Sequence, residues 1–256
     1  MRDDLTGRII LIVGGAGDIG RATANLLATC GATVVVADKR AESEAAADSL
    51  RQTAGVPYFH VEVRERASVE ALFERLDGEG LGPDTVICSA GFVHNAPFLT
   101  VTEQDWQQTL AVNLTGCFHI GQVTARRMVA AGVRGAIVMI SSWVQDIPWP
   151  EGTAYCSAKS GLKMLARCMA RELAPHGIRV NVVAPGIVNA GLSRQVMEED
   201  ADFRPRALRA IPLGELQTVD QVAQALLWTC LPASDYMTGA TLLIDGGCSL
   251  YAFDES

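Results

Sequence analysis

Tyr155 and Lys159 are the two side chains in this sequence whose types and spacing most directly suggest acid–base chemistry. They are spaced i, i+4 in a stretch predicted to be helical, so both side chains lie on one helix face. A phenol has a pKa of about 10 in water, which makes it a poor base near neutral pH. A neighbouring ammonium favours the phenolate, so the pair predicts proton transfer by Tyr155 with Lys159 adjusting its acidity. The spacing alone is common among surface pairs and does not establish a site.

A glycine-rich turn lies near the N-terminus, between the first predicted strand and the first predicted helix. Gly15, Gly17 and Gly20 satisfy the pattern G-x-G-x-x-G within residues 14–20. Such glycines allow a tight turn and a close approach of the backbone to a pyrophosphate, which binds the free N–H groups of the helix. Asp18 within the turn is expected to cap that helix, or else to face away from a diphosphate that it would repel.

Asp38 follows the second predicted strand and is the acid expected beyond such a glycine turn. An acid there accepts hydrogen bonds from the ribose hydroxyls of NAD and repels the 2′-phosphate of NADP. Lys39 and Arg40 weaken this preference, because a basic residue just past the strand can bind the extra phosphate. The joint pattern predicts a nicotinamide dinucleotide site that prefers NAD.

Short apolar runs alternate with amphipathic helical stretches along the chain, which predicts an α/β Rossmann fold: a doubly wound parallel sheet with helices on both faces. The predicted strands are 9–13, 33–37, 58–61, 85–88, 136–140, 179–183 and 241–244, and the predicted helices are 20–30, 41–54, 67–76, 103–131, 153–174 and 219–230. No linker divides the chain, so residues 1–256 are expected to form a single domain. The least regular stretch, 187–212, is predicted to be a substrate lid, with an ordinary surface loop as the alternative.

Composition and charge exclude several classes of partner. The chain carries a net charge of -8 and a pI of about 5.0, which disfavours nucleic-acid binding. No apolar run approaches the length of a bilayer span, and the N-terminus lacks the apolar segment of a secretory signal. Seven cysteines without C-x-x-C spacing predict neither a disulfide framework nor a metal site. A cytoplasmic protein with no membrane partner is therefore expected.

Further motifs occur in a fixed order along the chain. They are Ser89-Ala90-Gly91 after the fourth predicted strand, Asn113 in Val-Asn-Leu-Thr-Gly, Ser141-Ser142 after the fifth strand, Arg-Val-Asn-x-x-x-Pro-Gly at 179–186, and Asp-Gly-Gly at 245–247. Together with the glycine turn and the Tyr155/Lys159 pair, they make the sequence resemble the short-chain dehydrogenase/reductase family over essentially its whole length. The resemblance is to the shorter, classical subfamily.

The resemblance implies a catalytic group of Asn113, Ser142, Tyr155 and Lys159. Tyr155 would take the hydroxyl proton of an alcohol as the nicotinamide accepts hydride, and Ser142 would hydrogen-bond the reacting oxygen. Lys159 would also bind the nicotinamide ribose. Asn113 would position a water that links Lys159 to solvent.

The resemblance also implies a set of cofactor contacts, of which several depart from the usual residue types. The expected contacts are Gly14, Gly15, Gly17, Asp18, Ile19, Gly20, Asp38, Glu62, Val63, Ser89, Ala90, Gly91, Tyr155, Lys159, Pro185, Gly186 and Val188. Asp18 stands at a usual glycine, Glu62 at a usual Asp and Ser89 at a usual Asn. Ala190 stands where a Thr often contacts the carboxamide, so that contact is expected to be lost or made by Asn189. These departures put cofactor affinity, rather than proton transfer, in question.

The expected substrate contacts are His94, Ser142, Trp143, Trp149 and Asn189. Aromatic faces combined with hydrogen-bonding groups suit a sugar, a polyol or a cyclic hydroxy compound. Trp149, flanked by prolines, is equally well explained as a loop anchor, and His94 as a plain loop histidine.

Three functions remain open at this stage. The first is an NAD-dependent alcohol dehydrogenase, the second an NADP-linked 3-ketoacyl-type ketoreductase, and the third a non-catalytic dinucleotide-binding sensor or scaffold. Asp38 and the acidic charge disfavour the second, and the complete catalytic group disfavours the third. The apolar faces of the helices at 103–131 and 153–174, together with the apolar C-terminal segment, predict a homodimer or homotetramer.

Overall fold

Seven parallel strands build the sheet on which the predicted site residues are arranged. The computed structural model describes residues 4–41, 56–199 and 202–250. Within them the strands are β1 (Ile9–Val13), β2 (Thr33–Asp38), β3 (Tyr58–His60), β4 (Thr85–Cys88), β5 (Ala136–Ile140), β6 (Arg179–Pro185) and β7 (Thr241–Ile244). They pair in the order β3-β2-β1-β4-β5-β6-β7, every pair parallel. This confirms the predicted Rossmann fold.

The helices cover both faces of this sheet. Among the described residues they are α1 (Asp18–Thr29), α2 (Arg66–Gly78), α3 (Glu103–Leu110), α4 (Gly116–Ala131), α5 (Thr153–Leu173), α6 (Gly191–Glu199), α7 (Phe203–Ala210) and α8 (Val219–Cys230). A π-helical turn, Ala111–Thr115, joins α3 to α4, so the single helix predicted for 103–131 is three consecutive segments. The helix predicted for 41–54 falls almost entirely outside the described residues.

The stretch 187–212, predicted to be the least regular part of the chain, contains the helices α6 and α7. The prediction of irregular structure there is wrong. Eight of its 26 residues are charged, and they interrupt the few apolar positions that give the helices a buried face. Phe203 and Ala207 of α7 are buried against Ile211, which follows the helix.

Two apolar layers hold the sheet between the helices. Leu11 and Val13 of β1 pack with residues of α2, α4 and α5, whereas Ile10 and Ile12 pack with residues of α1 and α8. Side chains alternate along a strand, so both sets must be apolar when both faces of the sheet are covered. This explains why the strands read as continuous apolar runs in the sequence.

The carboxyl ends of the strands form one edge, and the chain reverses its winding direction between β1 and β4. Doubly wound sheets bind their ligands in the crevice at such a switch point. The glycine turn after β1, Asp38 at the end of β2, and the motif segments after β4, β5 and β6 all meet at this edge. The fold thereby gathers motifs that lie up to 172 residues apart in sequence, from Gly14 to Gly186.

Candidate active site

A cleft of about 760 Å³ opens at the carboxyl edge of the sheet. It is lined by every residue expected to bind the cofactor except Gly15, and by Ser142, Trp143 and Trp149 of the expected substrate contacts. A cleft of this volume is large enough for a dinucleotide with a small substrate beside it. The sequence motifs therefore meet in one place, although they come from separate elements.

The glycines of the turn differ in how much space the surrounding atoms leave for a side chain. A side chain at Gly14, whose φ is +81°, would place Cβ 2.4 Å from the Ala90 backbone nitrogen, and one at Gly20 would place it 2.5 Å from Gly15 Cα. Gly15 is equally confined, since its Cβ would lie 2.8 Å from a Val36 methyl group. At Gly17 the nearest atom would be 3.6 Å away, an ordinary contact. Packing among residues 4–41, 56–199 and 202–250 does not require glycine at position 17, so the space there fits a close-lying ligand such as a diphosphate.

Asp18 does not cap its own helix, and that expectation is wrong. The N-cap residue of α1 is Gly17, which makes no side-chain capping bond. The Asp18 carboxylate instead accepts a hydrogen bond from the Gly191 N–H at 2.9 Å and another from Arg21 Nη2 at 2.5 Å. The residue faces the start of α6, a contact that sequence spacing does not indicate.

Acidic and basic groups line the end of the cleft beside β2. Asp38 Oδ2 accepts a hydrogen bond from the Ala16 N–H at 3.1 Å, which fixes the carboxylate against the glycine turn. Glu62 is paired with Arg64, with 2.7 Å between Oε2 and Nη2. The hydrogen bond from Arg64 lowers the pKa of Glu62 and outweighs the opposite effect of its partial burial. Glu62 is therefore held in its ionised form by its arginine partner.

Tyr155 and Lys159 lie on successive turns of α5 and both face the cleft. Lys159 is 3% exposed, and its Nζ donates a hydrogen bond to the Ile140 carbonyl at 2.9 Å. The same Nζ lies 5.4 Å from the centre of the Tyr155 ring. A buried ammonium held in place beside a phenol provides the positive charge that acid–base work by a tyrosine needs.

The two serines after β5 have different roles. Ser141 Oγ donates a hydrogen bond to the Lys159 carbonyl at 3.3 Å, which ties the strand end to α5. Ser142 lies at the start of a short 3₁₀ turn, Trp143–Gln145, and lines the cleft beside Tyr155. Ser141 also lines the cleft, and its bond to the Lys159 carbonyl is consistent with the expected use of Ser142 by a substrate, which stays a prediction.

Asn113 is fully buried in the π-helical turn and lies outside the cleft lining. Its amide group donates to the carbonyls of Phe92 and Thr109 at 2.7 and 2.9 Å, and its Oδ1 accepts from the Phe92 N–H at 3.3 Å. The side chain thus holds the loop after β4 against the junction of α3 and α4. Its expected role in positioning a water stays a prediction.

Apolar side chains form the part of the cleft beyond Tyr155, which we call the substrate end. It consists of Trp143, Val144, Trp149, Cys156, Ile187, Val196 and Phe203. Trp149 stacks edge to face with Trp143 and with Phe203, with ring centres 5.3 and 6.0 Å apart. Burial raises the pKa of the Cys156 thiol, so this side chain stays neutral and acts as part of the apolar wall.

Two expected substrate contacts lie elsewhere. His94 is outside the cleft lining, and its Nε2 is 3.5 Å from Asp105 of α3. Asn189 is also outside the lining, where its N–H donates to the Gln217 carbonyl at 2.8 Å. Asn95, the neighbour of His94, lines the cleft instead.

Phe203 was not singled out from the sequence, although it forms one wall of the substrate end. It is the one Phe, Tyr or Trp between Tyr155 and Trp228, and it stands in an arginine-rich segment. An isolated aromatic residue within an otherwise charged segment was the available signal, because such a side chain is rarely left in solvent.

Comparisons with known proteins identify the family of this chain. A family model described as enoyl-(acyl carrier protein) reductase matches residues 14–249. The chain is 32% identical to 3β-hydroxysteroid dehydrogenase 1 of Eggerthella lenta, with 98% of this chain and 97% of the relative covered. It is 34% identical to 3-oxoacyl-[acyl-carrier-protein] reductase FabG of Thermotoga maritima, with 95% and 98% covered.

A solved structure matches with similar closeness. Gluconate 5-dehydrogenase from Burkholderia cenocepacia, solved in complex with NADP and tartrate, superimposes with a TM-score of 0.89 at 31% identity, and 98% of each chain is covered. These relatives act on different substrate classes at nearly equal identity, so overall similarity does not select a substrate. The family match over residues 14–249 and these relatives do establish the family: the chain belongs to the short-chain dehydrogenase/reductases, oxidoreductases that act on alcohol and ketone groups.

Proposed function

We propose that this protein is an NAD-dependent dehydrogenase that transfers hydride between the nicotinamide and a secondary alcohol or ketone. The observation that carries the proposal is the Tyr155/Lys159 geometry, with Nζ 5.4 Å from the ring centre in a cleft that Ser142 also lines. A protein that only binds a dinucleotide has no need of a phenol beside a buried ammonium. This argues against the non-catalytic sensor or scaffold.

The residues of the cleft divide the chemistry between them. During oxidation Tyr155 takes the hydroxyl proton of the alcohol, while the Ser142 hydroxyl donates a hydrogen bond to the reacting oxygen and orients it. Lys159 is placed to stabilise negative charge on the phenol oxygen and to hold the nicotinamide ribose. A bound nicotinamide supplies the hydride acceptor.

Asp38 supports NAD as the preferred cofactor. Its carboxylate is fixed at the end of β2 by the Ala16 N–H, in the position from which an acid binds ribose hydroxyls and repels a 2′-phosphate. The opposing observation is that Lys39 and Arg40 also line this end of the cleft. Together with the NADP found in the gluconate 5-dehydrogenase structure, they make an NADP-linked ketoreductase the second candidate.

The substrate end favours a cyclic hydroxy compound among the three expected classes. Its walls are the aromatic faces of Trp143, Trp149 and Phe203, and the polar groups His94 and Asn189 lie outside the lining. Aromatic walls bind the apolar faces of rings well, whereas a linear polyol needs a polar partner for each hydroxyl. Asn95 and Gln108 are polar residues that also line the cleft.

The test is a panel of cyclic alcohols, sugars and linear polyols, followed by NADH absorbance, with NAD and NADP compared in parallel. We expect the highest kcat/KM with NAD and a cyclic secondary alcohol. Linear polyols as the best substrates would overturn the substrate class. Higher kcat/KM with NADP would overturn the cofactor preference and favour the ketoreductase, for which 3-ketoacyl thioesters complete the panel.

Asp38→Asn tests the cofactor argument separately. The amide retains an acceptor for the Ala16 N–H but removes the charge, so the NADP/NAD ratio of kcat/KM is expected to rise about tenfold. Asp220→Asn, which changes an exposed acid in the first turn of α8, is the matched charge control. An unchanged ratio in Asp38→Asn would show that this carboxylate does not select the cofactor.

We also propose that the chain assembles as a homodimer or homotetramer. Phe118 and Val129 of α4 and Met164 of α5 are exposed apolar side chains on the two long helices. Leu243 of β7, the strand at one edge of the sheet, and Leu250, which follows it, add further exposed apolar surface. Apolar surface on regular elements is typical of an interface between copies. Among the described helices, none combines the length and the apolar character that a membrane crossing would need.

A further inference from the structure

We propose that Asp18 is a positioning residue that fastens helix α6, a wall of the substrate end, to the cofactor-binding turn. The two parts are far apart in sequence, and the hydrogen bond from the Gly191 N–H to Asp18 Oδ2 joins them at 2.9 Å. This inference rests on the proposed function, because it assigns α6 to the substrate side of the same cleft.

The contact serves the start of α6. The first N–H groups of a helix have no partner within the helix, and a carboxylate there satisfies one of them and complements the positive end of the helix dipole. Gly191 is the first residue of α6 and has a φ of +46°, so the chain enters the helix in a conformation that favours glycine. The acceptor for its N–H comes from α1 rather than from the preceding residues of the chain.

Two arginines balance the charge of this carboxylate. Arg21 Nη2 lies 2.5 Å from Oδ1, and Arg194 Nη1 of α6 lies 3.6 Å from Oδ2. Partial burial acts to raise the pKa of Asp18, but the Gly191 bond and the two arginines together lower it. One acid beside two arginines leaves a net positive charge of one beside the glycine turn. This is why an acid can stand at the turn without repelling a diphosphate.

The hydrogen bond between Asp18 and Gly191 can affect the substrate because α6 lines the substrate end of the cleft. Ser193 and Val196 of this helix line the cleft, and Val196 belongs to the substrate end. Arg194, between them, contacts both Asp18 and the Asn189 carbonyl, so the start of α6 is held at two points. Loss of the Asp18 contact is therefore expected to loosen the wall that faces the substrate and to spare Tyr155 and Lys159, which lie on α5.

Asp18→Gly tests the proposal because it removes the side chain at a position where the family usually has glycine. We expect KM for the alcohol to rise about tenfold, the factor given by the loss of one charge-assisted hydrogen bond, with kcat changed much less. The Kd of NADH is expected to stay the same or to fall, since no contact to the diphosphate is lost. Asp18→Asn keeps an acceptor for the Gly191 N–H and is expected to restore most of the substrate affinity.

Hydrogen exchange provides a readout that needs no substrate. Backbone amides in 191–199 are expected to exchange faster in Asp18→Gly than in the wild type, while those of α5 keep their rates. Asp220→Gly, which places glycine in the first turn of α8 at an exposed acid, is the matched control and should change neither α6 exchange nor KM.

The outcomes separate this inference from the proposed function. Unchanged exchange in 191–199 would overturn the role of Asp18 even if the enzyme oxidises every alcohol as proposed. A weaker NADH Kd in Asp18→Gly, by the same factor as the rise in KM, would show that Asp18 serves the cofactor and not α6. If the panel finds no turnover, faster exchange in 191–199 still establishes the attachment and only the proposed function fails.

Discussion

At the scale of single residues, the proposed chemistry depends on Tyr155 and on the buried Lys159 side chain beside it. The hydrogen bond from Lys159 to the Ile140 carbonyl holds its Nζ near the Tyr155 ring. Ser141 strengthens this arrangement, since its hydroxyl binds the carbonyl of the same lysine. In the proposed mechanism, removal of the Tyr155 hydroxyl should therefore stop proton transfer and leave Lys159 and Ser141 in place.

Tyr155→Phe is expected to reduce kcat by at least about 100-fold, because removal of a general acid–base group costs a factor of this order or more. The Kd of NADH, measured by fluorescence titration, should change little, since the ring and the position of Lys159 remain. Ser157→Ala, at an exposed position of the same helix outside the cleft lining, is the control for disturbance of α5. Turnover at the wild-type level in Tyr155→Phe would refute the proposed mechanism.

Asp18 also predicts a dependence of stability on pH. A carboxylate whose pKa is lowered in the folded state contributes stability above its unfolded value of 3.8, and that contribution is lost as the pH falls through the folded pKa. The midpoint of thermal unfolding should therefore be higher for the wild type than for Asp18→Asn near neutral pH. The difference should shrink below about pH 4 as the wild-type carboxylate becomes protonated. A difference that stays constant between pH 7 and pH 3 would contradict this assignment.

At the scale of elements, glycines in the turn serve either close packing within the protein or the space for a ligand, and the sequence pattern does not separate these two requirements. Gly14, Gly15 and Gly20 are required by the packing of the protein itself, since a Cβ at each would lie within 3 Å of another atom. Gly17 is not required by packing, and its open side faces the cleft. Packing therefore requires three of the glycines, and we propose that Gly17 serves the ligand.

Gly17→Ala and Gly20→Ala form a matched pair that tests this division. Gly17→Ala should keep the unfolding midpoint and weaken NADH binding, because the new methyl group occupies space that the diphosphate needs. Gly20→Ala should lower the free energy of unfolding by about 1–3 kcal/mol, the usual cost of an overpacked position. Calorimetry and NADH titration of both variants provide the measurements. Equal loss of stability in the two variants would contradict the assignment of Gly17 to the ligand.

The sequence predicted regular elements well wherever burial alone determines them. All seven strands of the described residues were expected within two residues of their observed ends, since strands covered on both faces must be apolar throughout. The helices α6 and α7 were missed because their buried faces are narrow. The π-helical turn at Ala111–Thr115 was missed because it uses the same residue types as the helices on either side.

The candidate site was predicted as far as local patterns reach. The glycine turn, Asp38 and the Tyr155/Lys159 pair each depend on spacing within one or two elements, and the fold brings them together. The bond from Gly191 to Asp18 joins distant parts of the chain through tertiary packing, which no local pattern encodes. For the same reason, the sequence did not predict that His94 and Asn189 lie outside the cleft lining.

At the scale of the whole molecule, the cleft and the surface proposed to join two copies lie on different parts of the fold. The cleft occupies the carboxyl edge of the sheet, whereas the exposed apolar side chains of α4 and α5 lie on the helices that cover one face. Helix α5 belongs to both, because it presents Tyr155 and Lys159 to the cleft and leaves Met164 54% exposed. Packing of a second copy against α5 would then hold the catalytic helix from its outer side without blocking access to the cleft.

Met164→Glu tests this assembly. Light scattering of the wild type at micromolar concentration is expected to give a mass of two or four times the 27.3 kDa of one chain. A charge placed on the apolar face of α5 must be desolvated in an interface, so Met164→Glu should reduce the mass by at least half. Leu99→Glu, which changes an exposed leucine on the loop before α3, is the control and should keep the wild-type mass. A wild-type mass of one chain, or an unchanged assembly in Met164→Glu, would show that this face of α5 does not join two copies.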